Sequence, residues 1–285
     1  MTVHVLTIDL EEWFHVLNLR EFFPPKDWDN LERRSVAPTK VLLDLFDKKG
    51  VKATFFCLGW LAEREPDLIR EIKSQGHEIA SHGYSHIRIN ELGKKSFLED
   101  LEKAEKIIKD ITGEKPKGYR ACSFSIIKNT KWAFELLAEK GYEYDSSVFP
   151  VIHPDYGWKE FPTTPVIVKT KNGDILEFPP LSARFMGRNI PFGGGGYFRL
   201  FPVWLFSLVI SAYDKKNMPC CIYLHPWELD YKQPRVGVKG LKRFRHYLNL
   251  SKTLKRLESI LDKFQFNTME SVLKEIRSKL PYYNI

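Results

Sequence analysis

Cysteine is scarce in this sequence, with four residues in 285. Their spacing is not that of a zinc ribbon, and the adjacent Cys220 and Cys221 lie in an apolar run that is typical of a strand. The pattern therefore predicts buried free thiols in preference to disulfides.

A long hydrophobic run is also lacking. The longest apolar stretch, residues 201–213, is too short to span a bilayer. The N-terminal residues lack the basic start and the uninterrupted apolar core of a signal peptide. We therefore expect a cytoplasmic protein with no transmembrane segment.

Negatively charged residues are fewer than positively charged ones, by a modest margin. Lys and Arg number 44 against 36 for Asp and Glu, which gives a formal charge of +8. Such an excess can favour an anionic partner. However, many of the basic residues fall on segments of helical period such as 103–109 and 252–263, where acids accompany them, as on a solvated helix face. No run resembles a nucleic-acid-binding motif, so we expect no nucleic-acid partner.

The first half of the chain has a regular rhythm and lacks repeats or low-complexity linkers. Short apolar runs read as strands (VHVLTID, ATFFCLG, HEIASH and YEYDSS). Between them lie segments of helical period at 37–49, 66–75, 93–112 and 131–140. This alternation up to about residue 150 predicts an α/β fold with a parallel sheet, either a barrel or an open doubly wound sheet.

The rhythm breaks after Pro150. A hairpin is expected where VIVKT and DILEF flank KNG, and a loop at the glycines of residues 193–196. We then expect a helix at 201–214, a strand at 219–224, a helix at 239–261 and a last helix near Thr268. The pattern predicts one catalytic domain over 1–285, with a loop-rich insertion at 151–200 and a helical extension at 239–285.

Two groups of polar residues follow predicted strands, where parallel α/β folds place their active sites. Asp9-Leu10-Glu11-Glu12 ends the first strand, and His82 and His86 follow HEIAS. Two histidines four residues apart suit a divalent ion, and a carboxylate as third ligand leaves a position open for water. Alternatively, the histidine spacing is chance and the acids begin a helix.

Two further strand ends carry candidate residues. Arg120 ends KGYR, and an arginine beside a carboxylate keeps that carboxylate ionised and in place. His225 follows CCIYL and can act as a general acid. A partly buried histidine that bonds a loop carbonyl is the other interpretation.

Five motifs in order resemble the NodB-type polysaccharide deacetylases of carbohydrate esterase family four. They are D-x-E at 9–11, S-H-x-x-S-H at 81–86, Y-R-A-x-S-F-S at 119–125, Y-D-S-S-V-F-P at 144–150 and L-H-P-W-E at 224–228. DLEEWFH, GGGGYFRL, HPWELD and RFRHYLNL resemble the branch found with bacterial exopolysaccharide loci.

The resemblance implies a distorted (β/α) barrel with fewer than eight regular strands and a divalent metal, zinc or a similar ion. It also implies a role for each matching residue. These are Asp9 as catalytic base, Arg120 as its support, Glu11, His82 and His86 as metal ligands, His225 as general acid and the Ser123 amide as oxyanion donor.

The sequence departs from the family pattern in three places. Leu10 separates two acids that are normally adjacent, which leaves Glu12 as a rival ligand. Cys122 stands where the third motif has proline. Val148 and Phe149 replace the usual Asp and Trp, so the identity of the acid that orients His225 is left open between Asp145 and Glu228.

Other residues are candidates for lining the pocket. They are His15 and His153, with Trp13, Tyr197, Phe198 and Trp227 for stacking on sugar rings.

The expected activity is removal of N-acetyl groups from amino sugars of a polysaccharide, oligosaccharide or lipid-linked glycan, which makes an N-acetylated glycan the expected substrate. A second hypothesis keeps the fold and metal but acts on another amide, in a formamido sugar or a ureide. A third is a glycan-binding protein without catalysis.

Overall fold

A mostly parallel sheet flanked by helices forms the protein, whose computed structural model describes residues 2–153 and 156–285. Residues 154 and 155, within the insertion expected at 151–200, lie outside the described residues. The strands among these residues are β1 (Val3–Leu10), β2 (Thr54–Cys57), β3 (Glu78–Ser81), β4 (Gly118–Tyr119), β5 (Tyr144–Asp145), β6 (Val166–Thr170), β7 (Gly173–Glu177), β8 (Ser182–Phe185), β9 (Arg188–Pro191), β10 (Cys221–Leu224), β11 (Gln265–Asn267) and β12 (Tyr282–Asn284).

The helices follow the strands in the first half and cluster in the second. They are α1 (Val36–Lys49), α2 (Gly59–Arg64), α3 (Pro66–Ser74), α4 (Ile89–Thr112), α5 (Trp132–Glu139), α6 (Gly195–Leu200), α7 (Val203–Asp214), α8 (Gly240–Tyr247), α9 (Thr253–Leu261) and α10 (Met269–Ile276).

The main sheet has the strand order β10-β1-β2-β3-β4-β5-β7-β6-β12, with β11 beside β1. The seven strands from β10 to β7 in this order run parallel, whereas β6 is antiparallel to β7. Along the described strands the sheet does not close into a complete barrel. The predicted α/β fold with a distorted barrel is confirmed, and the carboxyl ends of its parallel strands meet at one edge.

Strand β1 is central because it pairs with both β10 and β2. Its side chains from His4 to Leu10 are buried, since helices and loops cover both faces of the sheet. The pairing places Ile8 beside Leu224 and Leu10 beside Cys57. The residues that follow β1 and β10 are therefore neighbours in space, although more than 200 positions separate Leu10 from Leu224.

Most elements predicted in the first half are confirmed within one to four residues. The helix expected at 37–49 is α1, and it ends at Gly50, whose φ of 63° is the left-handed conformation typical of a helix end.

Two elements predicted in the second half are also present. The predicted hairpin is β6 and β7. The last helix begins after Thr268, whose side chain accepts a hydrogen bond from the Ser271 amide.

Three predictions in the second half were wrong. The glycines expected to form a loop instead begin α6 at Gly195, and Gly194 packs so tightly on β10 that a Cβ would lie 1.7 Å from the Tyr223 carbonyl oxygen. The helix expected at 239–261 is broken between α8 and α9, where Asn249 has a φ of 51°. The 239–285 segment also contains β11 and β12, which join the main sheet. The single-domain assignment stays a prediction.

The four cysteines are free and buried, as the sequence predicts. Within residues 2–153 and 156–285, no helix combines the length and apolar character needed to cross a membrane.

Candidate functional site

Most of the predicted site residues line one cleft, at the edge of the sheet where the parallel strands have their carboxyl ends. Six of the seven line it, and the seventh, Arg120, lies directly behind Asp9. The cleft has a volume of about 160 Å³. The six lining residues are Asp9, Glu11, His82, His86, Ser123 and His225.

Glu11, His82 and His86 form a group that can hold a divalent metal ion. One potential ligand atom from each residue lies within 4.8 Å of the others. The His82 Nδ1–H donates to the Arg120 carbonyl oxygen at 2.7 Å, which leaves Nε2 as the free ligand atom. His86 Nε2 lies 2.6 Å from a Glu11 carboxylate oxygen. Two imidazoles and one carboxylate are a donor set that fits a catalytic metal with an open position.

The electrostatics of this group also suit a metal. Burial favours the neutral imidazole and lowers the pKa of His82 to about 4, so its ring is uncharged near neutral pH. Burial opposes ionisation of Glu11, but the nearby His86, His225 and His82 outweigh it and hold the pKa of Glu11 well below its usual range. The Trp227 indole N–H donates to the other Glu11 oxygen at 3.2 Å and fixes the carboxylate.

Glu12, the rival ligand, makes a different set of contacts. Its carboxylate accepts the backbone N–H groups of Arg34 and Ser35 at 2.9 to 3.0 Å, just before α1. These bonds satisfy amides at the start of a helix, where no carbonyl partner is available. Glu12 is fully buried, and burial raises its pKa. Its position supports the start of α1, whereas Glu11 contacts the histidines.

Asp9 and Arg120 form a buried ion pair. The guanidinium Nη1 lies 2.6 Å from Asp9 Oδ1 and 2.8 Å from Thr7 Oγ1, and both arginine and aspartate are almost wholly buried. The remaining guanidinium N–H groups donate to the carbonyl and hydroxyl of Ser146 at 3.0 and 2.8 Å and contact Cys221 Sγ. These bonds fix the guanidinium, and the guanidinium in turn fixes Asp9 Oδ1. The second carboxylate oxygen, Oδ2, lies on the side of the cleft.

His225 lies between the metal group and a second buried ion pair. Its Nε2 is 3.8 Å from Asp9 Oδ2 and 3.7 Å from Glu11 Oε1. Its Nδ1–H donates to Glu228 Oε2 at 3.3 Å, and Glu228 Oε1 accepts from Arg199 Nε at 2.9 Å. Burial opposes the charged imidazole, but the hydrogen bond to Glu228 and the nearby carboxylates outweigh it and raise the pKa of His225 to about 9. This histidine can therefore carry a proton at neutral pH.

Ser123 holds an uncommon backbone conformation at the wall of the cleft. Its φ is 53°, and the next residue, Phe124, has a φ of 52°. Left-handed conformations are costly for residues other than glycine and persist where the surroundings impose them. The neighbouring Cys122 is buried, and burial raises its pKa well above the usual thiol range, so it is an inert thiol.

The other predicted pocket residues are divided between the cleft and the core. His153 and Tyr197 line the cleft, and the His153 ring stacks on Tyr156 with ring centres 3.9 Å apart. His15 is buried behind His86, whose ring it stacks on at 5.7 Å. Trp227 also borders the cleft but is 5% exposed, and Trp13 and Phe198 are 3% exposed, so burial leaves little surface of these three aromatics for stacking on a sugar ring.

The acid beside His225 is Glu228, and Asp145 has other partners. The Asp145 carboxylate accepts from the amide and hydroxyl of Ser147 and is paired with Glu177. Sequence reasoning missed Arg199 because it follows a glycine run and no strand end marks it. It also missed Thr7, although Thr7 lies two residues from Asp9 on β1 and so shares its face of the sheet.

Family comparisons divide the chain into two matched parts. Residues 29–144 match the polysaccharide deacetylase model, and residues 146–274 match a domain of unknown function, DUF3473. A peptidoglycan-N-acetylglucosamine deacetylase of Bacillus cereus is 36% identical over 98 residues, which cover 34% of this chain and 36% of that protein. A peptidoglycan deacetylase of Helicobacter pylori is 38% identical over 117 residues, or 40% and 37% of the two chains. The chain thus spans about a third of the length of these relatives.

Solved structures share the fold over almost the whole chain. A Mycobacterium smegmatis protein described as a polysaccharide deacetylase superposes with a TM-score of 0.66 at 20% identity, covering 98% of this chain and 93% of that one. An allantoinase gives 0.60 at 17% identity, covering 99% and 91%. At these identities the likeness is one of fold alone. The chain is thus similar to polysaccharide deacetylases over residues 29–144, and its ordered motifs resemble those of the NodB type.

Proposed function

We propose that this protein is a divalent-metal-dependent hydrolase that removes N-acetyl groups from amino sugars. The observation that carries the proposal is the placement of two proton-transfer groups beside one metal group. Asp9 and His225 lie on the same cleft as Glu11, His82 and His86. Amide hydrolysis needs a base for the attacking water and an acid for the leaving amine, and this cleft offers both.

Glu11, His82 and His86 are the proposed ligands, and two histidines with one carboxylate favour zinc. A bound ion would polarise the acetyl carbonyl and ease deprotonation of water. The hydrogen bond from His82 Nδ1–H to the Arg120 carbonyl supports this assignment because it orients Nε2 toward the other ligands.

The proposed proton transfers use groups of this chain. Asp9 Oδ2 takes the proton of the attacking water while Arg120 holds Oδ1. The Ser123 amide donates to the oxygen that gains negative charge as water adds to the acetyl carbon. His225 Nε2–H then protonates the sugar nitrogen as the carbon–nitrogen bond breaks, which releases acetate and a free amine.

The proposed substrate is the N-acetylated amino sugar of a polysaccharide, oligosaccharide or lipid-linked glycan. The name of the Bacillus cereus relative, a peptidoglycan-N-acetylglucosamine deacetylase, supports an amino sugar. The four free thiols favour a reducing compartment, so we retain the cytoplasm as the proposed location.

The activity is tested by measuring acetate and formate released by metal-loaded protein from N-acetylglucosamine oligomers and a panel of acetylated and formylated glycans. We expect acetate. Formate without acetate would move the assignment to a formamido sugar. Glycan binding with no hydrolysis of any amide, in wild type and Asp9→Asn alike, would indicate a binding protein.

The ligand assignment is tested with the matched pair Glu11→Gln and Glu12→Gln. Loss of an outer partner of a metal ligand already weakens binding about 10- to 100-fold, so loss of the ligand should cost more. We expect Glu11→Gln to weaken zinc binding by more than about 100-fold, while Glu12→Gln affects mainly thermal stability. Titration with zinc measures both, and a larger effect of Glu12→Gln on zinc affinity would reject Glu11.

A further inference from the structure

Helix α8 exposes large apolar side chains together with basic ones. Leu241 is 80% exposed and Phe244 is 53% exposed. Lys242, Arg243 and Arg245, which alternate with them, are exposed as well. A helix of a folded domain normally turns its apolar residues inward, and α8 buries only His246. The exposed face of α8 therefore has the composition of a contact surface.

The segment around α8 also holds the entire positive excess of the chain. Residues 231–257 contain nine Lys and Arg residues and no Asp or Glu, whereas the rest of the chain has 35 basic and 36 acidic residues. The charge of +8 is thus concentrated in one segment and is not spread over solvated helix faces. A concentration of this kind produces a positive field that attracts an anionic surface.

This segment borders the cleft of the candidate site. Arg245 and His246 line the cleft, and the Arg199 guanidinium donates to the His246 and Leu248 carbonyl oxygens. Leu241 lies four residues before Arg245, so the two side chains share a face of α8. The exposed apolar face is therefore one helical turn from the wall of the cleft.

The combination of side chains distinguishes between two kinds of anionic partner. A soluble acidic glycan would pair with Lys242 and Arg243 but would leave Leu241 and Phe244 in water. The surface of an anionic bilayer uses both sets, because phosphate groups bind the cations and the acyl boundary accepts the apolar side chains. Helices of this composition lie in the plane of the membrane surface.

We propose that α8 and the basic segment 231–257 dock on an anionic phospholipid bilayer, with the mouth of the cleft held at the lipid surface. The charge complementarity and the exposed apolar residues determine this choice of partner. Docking requires no hydrolysis, so it goes beyond the proposed function and is tested separately from it.

The test is cosedimentation of the full chain with vesicles of phosphatidylcholine alone and of phosphatidylcholine mixed with phosphatidylglycerol. We expect binding only to the mixed vesicles, and weaker binding as salt rises. Because each basic residue near an anionic surface adds about 1 kcal/mol, Lys242→Glu/Arg243→Glu should reduce the partition at least about 10-fold. Leu241→Ser/Phe244→Ser should reduce it too, and at high salt should abolish what remains.

The matched control is Lys106→Glu/Lys109→Glu, which makes the same charge change at exposed positions of α4. It should bind vesicles nearly as well as the wild type, and circular dichroism of all variants should be unchanged. Equal loss in both charge variants, or unchanged binding in the Leu241/Phe244 variant, would overturn the assignment to α8. Retention on a soluble acidic polysaccharide without vesicle binding would overturn the choice of a bilayer.

Discussion

Two buried arginine–carboxylate pairs support the candidate site, and they differ in how their carboxylates reach it. Arg120 holds Asp9 at 2.6 Å, and Arg199 holds Glu228 at 2.9 Å. Each arginine is at most 1% exposed. Asp9 lines the cleft directly. Glu228 lies behind His225, and it is His225 that lines the cleft.

The surroundings of the two arginines explain this difference. Arg120 donates to Thr7 on β1 and to Ser146 after β5, so strands of the central sheet fix it. Arg199 donates to carbonyl oxygens in and after α8, so the segments added after residue 150 fix it. In the first pair, Asp9 is itself the residue proposed to contact the reacting water. In the second pair, Glu228 acts through His225, so removal of the second pair should cost less activity.

The largest effect is expected from Asp9→Asn. The amide still accepts a hydrogen bond from Arg120 but is a far weaker base, and general-base contributions are about 10²- to 10⁴-fold. We expect kcat/KM for acetate release to fall about 10³-fold, with zinc content and thermal stability near those of the wild type. Activity within tenfold of wild type would remove Asp9 from the base role.

The second pair can be broken by Arg199→Met. Removal of Arg199 leaves the protonated His225 as the remaining positive partner of the buried Glu228, and loss of one partner of a buried ion pair typically costs about 3 to 5 kcal/mol in unfolding free energy. The double variant Arg199→Met/Glu228→Gln removes the charge as well, so it should recover part of that loss. Urea denaturation measures both, and a double variant as unstable as the single one would show that packing, not charge, makes the pair important.

A smaller effect is expected when only the charge of Glu228 is removed. Glu228→Gln keeps a hydrogen-bond acceptor for His225 but weakens its hold on the protonated imidazole. We expect kcat to fall about 10- to 100-fold with little change in KM. The control is Asp145→Asn, which neutralises the other acid considered from sequence. An equal fall of kcat in this control would contradict the assignment of Glu228.

The first pair could be predicted from sequence, and the second could not. Asp9 lies near the end of β1 and Arg120 directly follows β4, and the ends of parallel strands converge at one edge of a sheet. Glu228 is one of two candidates because the motif at 144–150 departs from the family pattern. Arg199 lies in α6, which begins within a glycine run that predicted a loop. Its partners are carbonyl oxygens of residues 246 and 248, and no side-chain pattern marks such contacts.

The buried carboxylate of Glu177 provides a contrast with these two pairs, because its partner is a second acid, Asp145, and not an arginine. Glu177 and Asp145 are both fully buried, and Glu177 Oε1 accepts the Val148 amide at 2.9 Å. Burial, and then the charge of Asp145, raises the pKa of Glu177 well above its ordinary value of 4.5. The pair therefore holds a proton in the folded protein, unlike the two carboxylates paired with arginines.

The sign of the resulting pH dependence follows from the raised pKa. The folded state binds this proton more tightly than the unfolded state, so the stability it contributes is complete below about pH 4.5 and is lost as pH rises through the folded pKa. Glu177→Gln can donate an amide N–H to Asp145 at any pH. We expect the variant to exceed the wild type by about 1 kcal/mol in unfolding free energy near pH 8, and not near pH 4.5.

Urea denaturation at the two pH values measures this difference, with Glu143→Gln as the matched control at an exposed carboxylate nearby. The control should show no comparable gain at the higher pH. A variant Glu177→Gln that is less stable than wild type at both pH values would mean that the Glu177 carboxylate is ionised in the folded protein. In that case the charge of Arg120, which lowers the pKa of Asp145, would have to balance carboxylates of this pair as well as Asp9.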